Sequence, residues 1–66
     1  MRIEILIKEV RQEKKITLQE LSKKSGISKS HINYIEKQLK QPTLIVMIQI
    51  SKALNIDLKK LYKVYW

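Results

Sequence analysis

Between Ser28 and Tyr34 the chain gathers Ser28, Lys29, Ser30, Asn33 and Tyr34, side chains suited to recognition rather than reaction. A lysine ammonium donates to O6 and N7 of guanine, and an asparagine amide pairs with adenine through two bonds. A tyrosine packs on a thymine methyl or donates to phosphate. Carried outward on one short helix, these groups would read base edges in a duplex groove. The bland alternative is the solvated face of a surface helix. The frame around the residues decides between the two.

That frame is Thr17–Gln38, TLQELSKKSGISKSHINYIEKQ, which predicts two short helices about one tight turn. Thr17 and Glu20 form a T-x-x-E capping box, in which the threonine hydroxyl accepts from the Glu20 amide and the glutamate reaches back. Leu18, Leu21 and Ser22 point inward, and Ser22 is the small residue that a steep helix crossing needs. Gly26 ends the first helix, since it takes a left-handed conformation without a Cβ clash. Ile27 fills the turn and Ser28 caps the second helix, with a phosphate contact as its further role. Ile32 and Ile35, with Leu39, form the inner face of that helix. Such a pair projects its second helix from the body, where it fits a major groove.

The other segments supply the support. Ile3, Leu6, Ile7 and Val10 recur at helical spacing and predict a helix over 3–14, with Ile5 off its apolar face. Thr43, after Pro42, caps a fourth helix with Leu44, Met47, Ile48, Ser51 and Leu54 as its inner stripe and Asn55 at its end. Asp57 caps a short fifth helix from Leu58 to about Lys63, with Ile56 and Leu61 at the two positions of a hydrophobic staple. One glycine and one proline leave few sharp breaks, so an all-α bundle with short connections fits. The whole, 1–66, is one domain. With no cysteine, neither a disulfide nor a thiolate metal site staples it.

Fourteen Lys or Arg against six acids give a formal net charge of +8. That excess attracts polyanions, nucleic acid first and anionic membrane second. The apolar residues are spread over several capped helices, which argues against a membrane-surface peptide. No apolar run is long enough to span a bilayer, and the opening residues are broken by Glu4, Lys8 and Glu9, unlike a signal peptide. A cytoplasmic protein is the expectation. No nucleophile–base arrangement, metal-ligand cluster or phosphate-cradling glycine loop is present, so no enzyme activity, cofactor, metal or small-molecule ligand is expected. His31, the only histidine, is expected to be exposed.

Several pieces together resemble the Cro/CI-type helix-turn-helix domains, the XRE family of bacterial and phage regulators. They are Val10-Arg11, Leu21-Ser22, Ser25-Gly26-Ile27-Ser28, Ile32, Ile35-Glu36, Pro42-Thr43-Leu44, Lys52-Ala53-Leu54-Asn55-Ile56 and Leu61. The resemblance implies a compact five-helix, lambda-repressor-like domain that binds operator DNA, usually as a dimer. It also implies an ion pair between Arg11 and Glu36 that orients the recognition helix and holds Arg11 near the DNA backbone; the alternative is two independent surface charges. The chain departs from the family at Leu18, usually Gln, and at Gln38, usually Gly. A non-glycine residue with positive φ costs about 1 kcal/mol, so the loop Lys37–Gln41 is expected to follow a different path. Ile45 and Val46 also stand where the family is usually polar.

Phosphate contacts are expected at the two ends of the helix-turn-helix, about 17–37. Thr17, Leu18 and Gln19 offer helix N-terminal amides, while Lys37, Lys40 and Gln41 grip the opposite flank, with Arg11 nearby. Lys23 and Lys24 raise the local potential. Ile45, Val46, Leu58, Tyr62, Val64, Tyr65 and Trp66 exceed what so small a core needs, and aromatic residues are enriched at interface centres. They predict a homodimer, with residues 57–66 as its main element. The alternative is that the tail folds back over Ile5 and helix one of its own chain. The expected function is sequence-specific binding of double-stranded DNA by a homodimeric repressor at an inverted-repeat operator. The alternative is a protein-interaction module, such as an antitoxin or bridging factor, working through helix four and the tail.

Overall fold

The computed structural model describes residues 1–66. Strand β1 (Arg2–Ile5) leads into helices α1 (Ile7–Glu13), α2 (Leu18–Ser25), α3 (Lys29–Glu36) and α4 (Leu44–Leu54). A 3-10 turn (Leu58–Leu61) and strand β2 (Tyr62–Tyr65) complete the chain. The all-α, five-helix expectation is therefore corrected: four helices are joined by a two-stranded antiparallel sheet. Residues 3–5 leave the predicted first helix, and the predicted fifth helix is a single 3-10 turn.

The physical reason lies in long-range pairing. Arg2-Ile3-Glu4-Ile5 alternates polar and apolar residues, and Tyr62-Lys63-Val64-Tyr65 is its β-branched and aromatic counterpart. The register sets Arg2 opposite Tyr65, Ile3 opposite Val64, Glu4 opposite Lys63 and Ile5 opposite Tyr62. Ile5, which has no place on a helical face, here packs with Tyr62 against the core. On the outer face Arg2 lies 4.1 Å from the centre of the Tyr65 ring, and the Tyr65 hydroxyl donates to Glu4 Oε1 at 3.1 Å. The tail thus folds back on its own chain.

The core is Ile7, Leu21, Ile27, Ile32, Ile35, Met47, Ile50, Leu54 and Leu61. In α4 the buried stripe is Met47, Ile50, Ser51 and Leu54, one face at helical spacing. Leu44 and Ile48, predicted inward, are 65% and 42% exposed, because Ile50 takes the inner position instead. Leu39 also lies outside, 70% exposed, since α3 has ended before it.

Three helices close in the same way. Lys15, Gln38 and Asn55 take left-handed conformations with φ of 56, 61 and 55°. At each, that residue's N–H reaches the carbonyl three residues back, and the next N–H reaches five back. Lys15 and Ile16 bond Gln12 and Arg11, Gln38 and Leu39 bond Ile35 and Tyr34, and Asn55 and Ile56 bond Lys52 and Ser51, all at 3.0–3.1 Å. This double bond satisfies carbonyls that the helix end would orphan. The loop after α3 therefore makes the left-handed turn with glutamine in place of glycine, correcting the different path expected for it.

Candidate nucleic-acid interface

Helix α2 begins where its capping box predicts. The Thr17 N–H donates to Glu20 Oε1 at 2.9 Å, and the Glu20 N–H donates to Thr17 Oγ1 at 3.1 Å. Hydrogen bonding to Thr17, first its N–H and then its side chain, holds the Glu20 carboxyl below its ordinary value. The box also changes what this helix end offers. The Thr17 amide is occupied, so the free amides are those of Leu18 and Gln19. The Leu18 side chain is half-buried against the core, whereas Gln19 is exposed.

The turn is knitted by two serines. Gly26 has φ 74°, and nothing lies within 4 Å of where its Cβ would be, so backbone conformation alone favours glycine there. The Ser22 hydroxyl donates to the Ile27 carbonyl at 2.6 Å, which locks the helix crossing to the turn. Buried Ser25 accepts from the Ile27 N–H at 3.2 Å. From the sequence Ser25 has a place in the matching piece Ser25–Ser28 but no role; its position directly before the turn glycine is the available signal. Ser28 then starts α3, its hydroxyl accepting from the His31 N–H at 3.2 Å.

Ile32 and Ile35 are fully buried, which fixes how α3 is rolled on the body. Ser30 and Tyr34 are exposed on its other side, Ser28 and Lys29 are exposed at its start, and Asn33 is half-buried. His31 is half-buried, not exposed as expected from the sequence, because it stands one turn before fully buried Ile35 on the same side of the helix. Lys37, Lys40 and Gln41 are exposed beyond the helix. These groups can donate to acceptors along a polyanion, with no carboxylate among the exposed ones.

Arg11 and Glu36 hold α3 from behind. Arg11 Nε donates to Glu36 Oε2 at 2.8 Å and Nη2 to Glu36 Oε1 at 3.1 Å. Nη1 donates to the Ile16 carbonyl at 3.0 Å. The side chains are only 12% and 4% exposed. The hydrogen bond to Glu36 raises the Arg11 pKa above its ordinary value, with burial opposing. A planar guanidinium suits this fork. All three of its nitrogens donate inside the chain, so Arg11 organises the site from behind, with one N–H left on each Nη.

The residues expected at a dimer contact divide into two groups. Val46, Leu58, Tyr62 and Val64 are half-buried within the chain. Ile45, Tyr65 and Trp66 are exposed, Trp66 to 95%.

A helix-turn-helix family model (HTH_3) matches residues 7–61. The chain belongs to the XRE-type helix-turn-helix family. It is 30% identical over 56 residues to an uncharacterised HTH-type transcriptional regulator of Mycobacterium tuberculosis, covering 85% of this chain and 40% of the relative. A further HTH-type regulator, from Sinorhizobium fredii, is 31% identical over 52 residues, covering 79% of this chain and 26% of the relative. The chain thus spans well under half the length of these relatives. Among solved structures, the N-terminal DNA-binding domain of SinR from Bacillus subtilis matches with a TM-score of 0.75 and 33% identity, over 82% of this chain and 80% of that one. The restriction-modification controller protein C.AhdI from Aeromonas hydrophila has a TM-score of 0.79 at 22% identity, over 82% of each chain, a likeness of fold. No helix of this XRE-type domain is long and apolar enough to cross a membrane.

Proposed function

We propose that this XRE-type domain binds double-stranded DNA sequence-specifically, as a small cytoplasmic transcriptional regulator acting as a homodimeric repressor. The observation that carries the reading is the face of α3. Ser30 and Tyr34 stand free on the side opposite fully buried Ile32 and Ile35, with Lys29 exposed at the helix start, in a chain of charge +8. In this reading α3 enters the major groove. Ser28, Lys29, Ser30, Asn33 and Tyr34 meet base edges; the Leu18 and Gln19 amides, with Lys37, Lys40 and Gln41, meet phosphates. The relatives' naming as transcriptional regulators and SinR's DNA-binding domain support it over an interaction module. Occluding a promoter needs only tight binding, so repression is the action such a domain can carry by itself.

Homodimerisation is supported by an uncharged apolar ridge. Two chains of +8 repel, so a contact between them must avoid the lysines. Gln41–Ser51 is an unbroken run without a charged residue, and on it Leu44, Ile45 and Ile48 stand exposed. A two-fold contact centred there, with Trp66 at its edge, would pair two recognition helices for half-sites one turn apart, about 34 Å. Selection of bound sequences from random duplex DNA tests the whole reading. An enriched inverted repeat is the expected result, and no enrichment at all would overturn it.

A further inference from the structure

Gln38 combines three properties. It occupies a left-handed conformation, φ 61°, that glycine would adopt without cost. It lies two residues beyond α3, between Lys37 and Lys40. Its side-chain amide also grips the backbone of β1: Nε2 donates to the Ile5 carbonyl at 3.0 Å, and the Ile5 N–H donates to Oε1 at 3.4 Å.

The Ile5 groups are available because of the sheet register. The Leu6 N–H bonds the Leu61 carbonyl at 2.8 Å, so Leu6 and Leu61 form a hydrogen-bonded pair. Ile5 opposite Tyr62 is then a non-bonded pair, and its N–H and C=O point to the open edge of β1. The Gln38 amide, one donor and one acceptor in a plane, satisfies both, as a neighbouring strand would. Glycine in the same turn could not do this. Gln38, Lys40 and Gln41 also line a groove of about 410 Å³ whose far wall includes Ile3 and Ile5, so the clamp spans from the loop to the sheet.

We propose that Gln38 is a positioning residue for the phosphate grip: its amide, bonded to both polar groups of Ile5, ties the loop Lys37–Gln41 to the terminal sheet and sets Lys37 and Lys40 against the DNA backbone. This rests on the DNA-binding reading above. α3 is then held from two sides, by Arg11 at Glu36 and by β1 at Gln38. Phosphate contacts carry no sequence information, so loosening this end weakens binding to the selected site and to random duplex alike.

The test compares wild type with Gln38→Gly and Gln38→Asn on the duplex selected from random DNA and on random duplex. Glycine removes the clamp and relieves the backbone; asparagine keeps an amide and tolerates the left-handed turn, but its side chain is one methylene too short to reach Ile5. Both variants are expected to melt close to wild type, since relieved strain offsets the lost bonds. Affinity for the selected site is expected to fall roughly fivefold in both, the lower end of ordinary coupling between sites. The slope of log affinity against log salt should shrink by about one, the signature of one lost phosphate contact. Affinity for random duplex should fall by a similar factor, because a phosphate contact is blind to sequence. Unchanged affinity and salt slope in both variants would overturn the role of Gln38 while leaving DNA binding intact. So would a fall in affinity that is matched by a fall in melting temperature. A wild-type protein with no preferred sequence overturns both proposals.

Discussion

Arg11 and Glu36 face each other through a two-bond fork, Nε to Oε2 at 2.8 Å and Nη2 to Oε1 at 3.1 Å, in a site almost closed to water. Removing one partner leaves the other charged and buried, at a cost of about 3 kcal/mol or more. In so small a domain that is most of the available stability. Arg11→Ala is therefore expected to be largely unfolded at room temperature by circular dichroism. Arg11→Lys should remain folded but melt lower, because an ammonium cannot reproduce the fork and the bond to Ile16 together. A double-mutant cycle with Glu36→Gln should give a coupling energy of at least about 1 kcal/mol.

Glu20 makes stability depend on pH from the acid side. Its carboxyl is held below its ordinary value, first by the Thr17 N–H. A carboxyl whose folded pKa is depressed stabilises the fold above its unfolded pKa, and this is lost as pH falls through the folded value. Melting temperature should therefore drop as pH falls from neutral through the carboxylate range. Glu20→Gln, which keeps the capping geometry, should show a smaller drop across that window. Equal drops in both proteins would remove Glu20 as the source.

Lys15 stands in the left-handed region without any side-chain bond to compensate, unlike Gln38. Lys15→Gly relieves that conformation and is expected to raise stability by roughly 0.5–1 kcal/mol, less the extra freedom gained by the unfolded chain. Denaturant melts should show a higher midpoint at unchanged slope. The converse holds at Gly26, where Gly26→Ala meets no neighbour yet should lose about 1 kcal/mol through φ alone.

Leu44, Ile45 and Ile48 form the charge-free outer ridge of α4. Ile45→Lys with Ile48→Lys should leave the circular dichroism spectrum and melting temperature nearly unchanged, because neither side chain belongs to the core. Light scattering should then show a monomer at concentrations where wild type is a dimer, and affinity for an inverted repeat should fall far more than affinity for a half-site. A wild-type protein that is itself monomeric at tens of micromolar would remove this contact.

The elements fixed by local chemistry were legible in the sequence. Thr17 with Glu20, Gly26, Ser28, Thr43 and Asn55 each act within a few residues of themselves, and each stands where its type predicts. What was not legible depended on partners far along the chain. Ile3, Leu6, Ile7 and Val10 satisfy a helical period, and only pairing with Tyr62–Tyr65 makes a strand of Arg2–Ile5. Gln38 reads locally as a poor turn residue; its compensation, the backbone of Ile5, is supplied by a strand that sequence periodicity had assigned to a helix. The inner face of α4 is not legible because nearly every residue from Leu44 to Ile50 is apolar, so the pattern does not choose between faces.

The sheet also sets an order of assembly. Arg2 and Tyr65 stand at opposite ends of the helical body, so pairing them means closing a long loop through all four helices. Contacts of such separation are gained late, after the short-range pairing of α2 with α3. Val64→Ala should therefore speed unfolding while leaving the folding rate almost untouched, whereas Leu21→Ala should slow folding. The strands would act as a latch, the last part to engage and the first to let go.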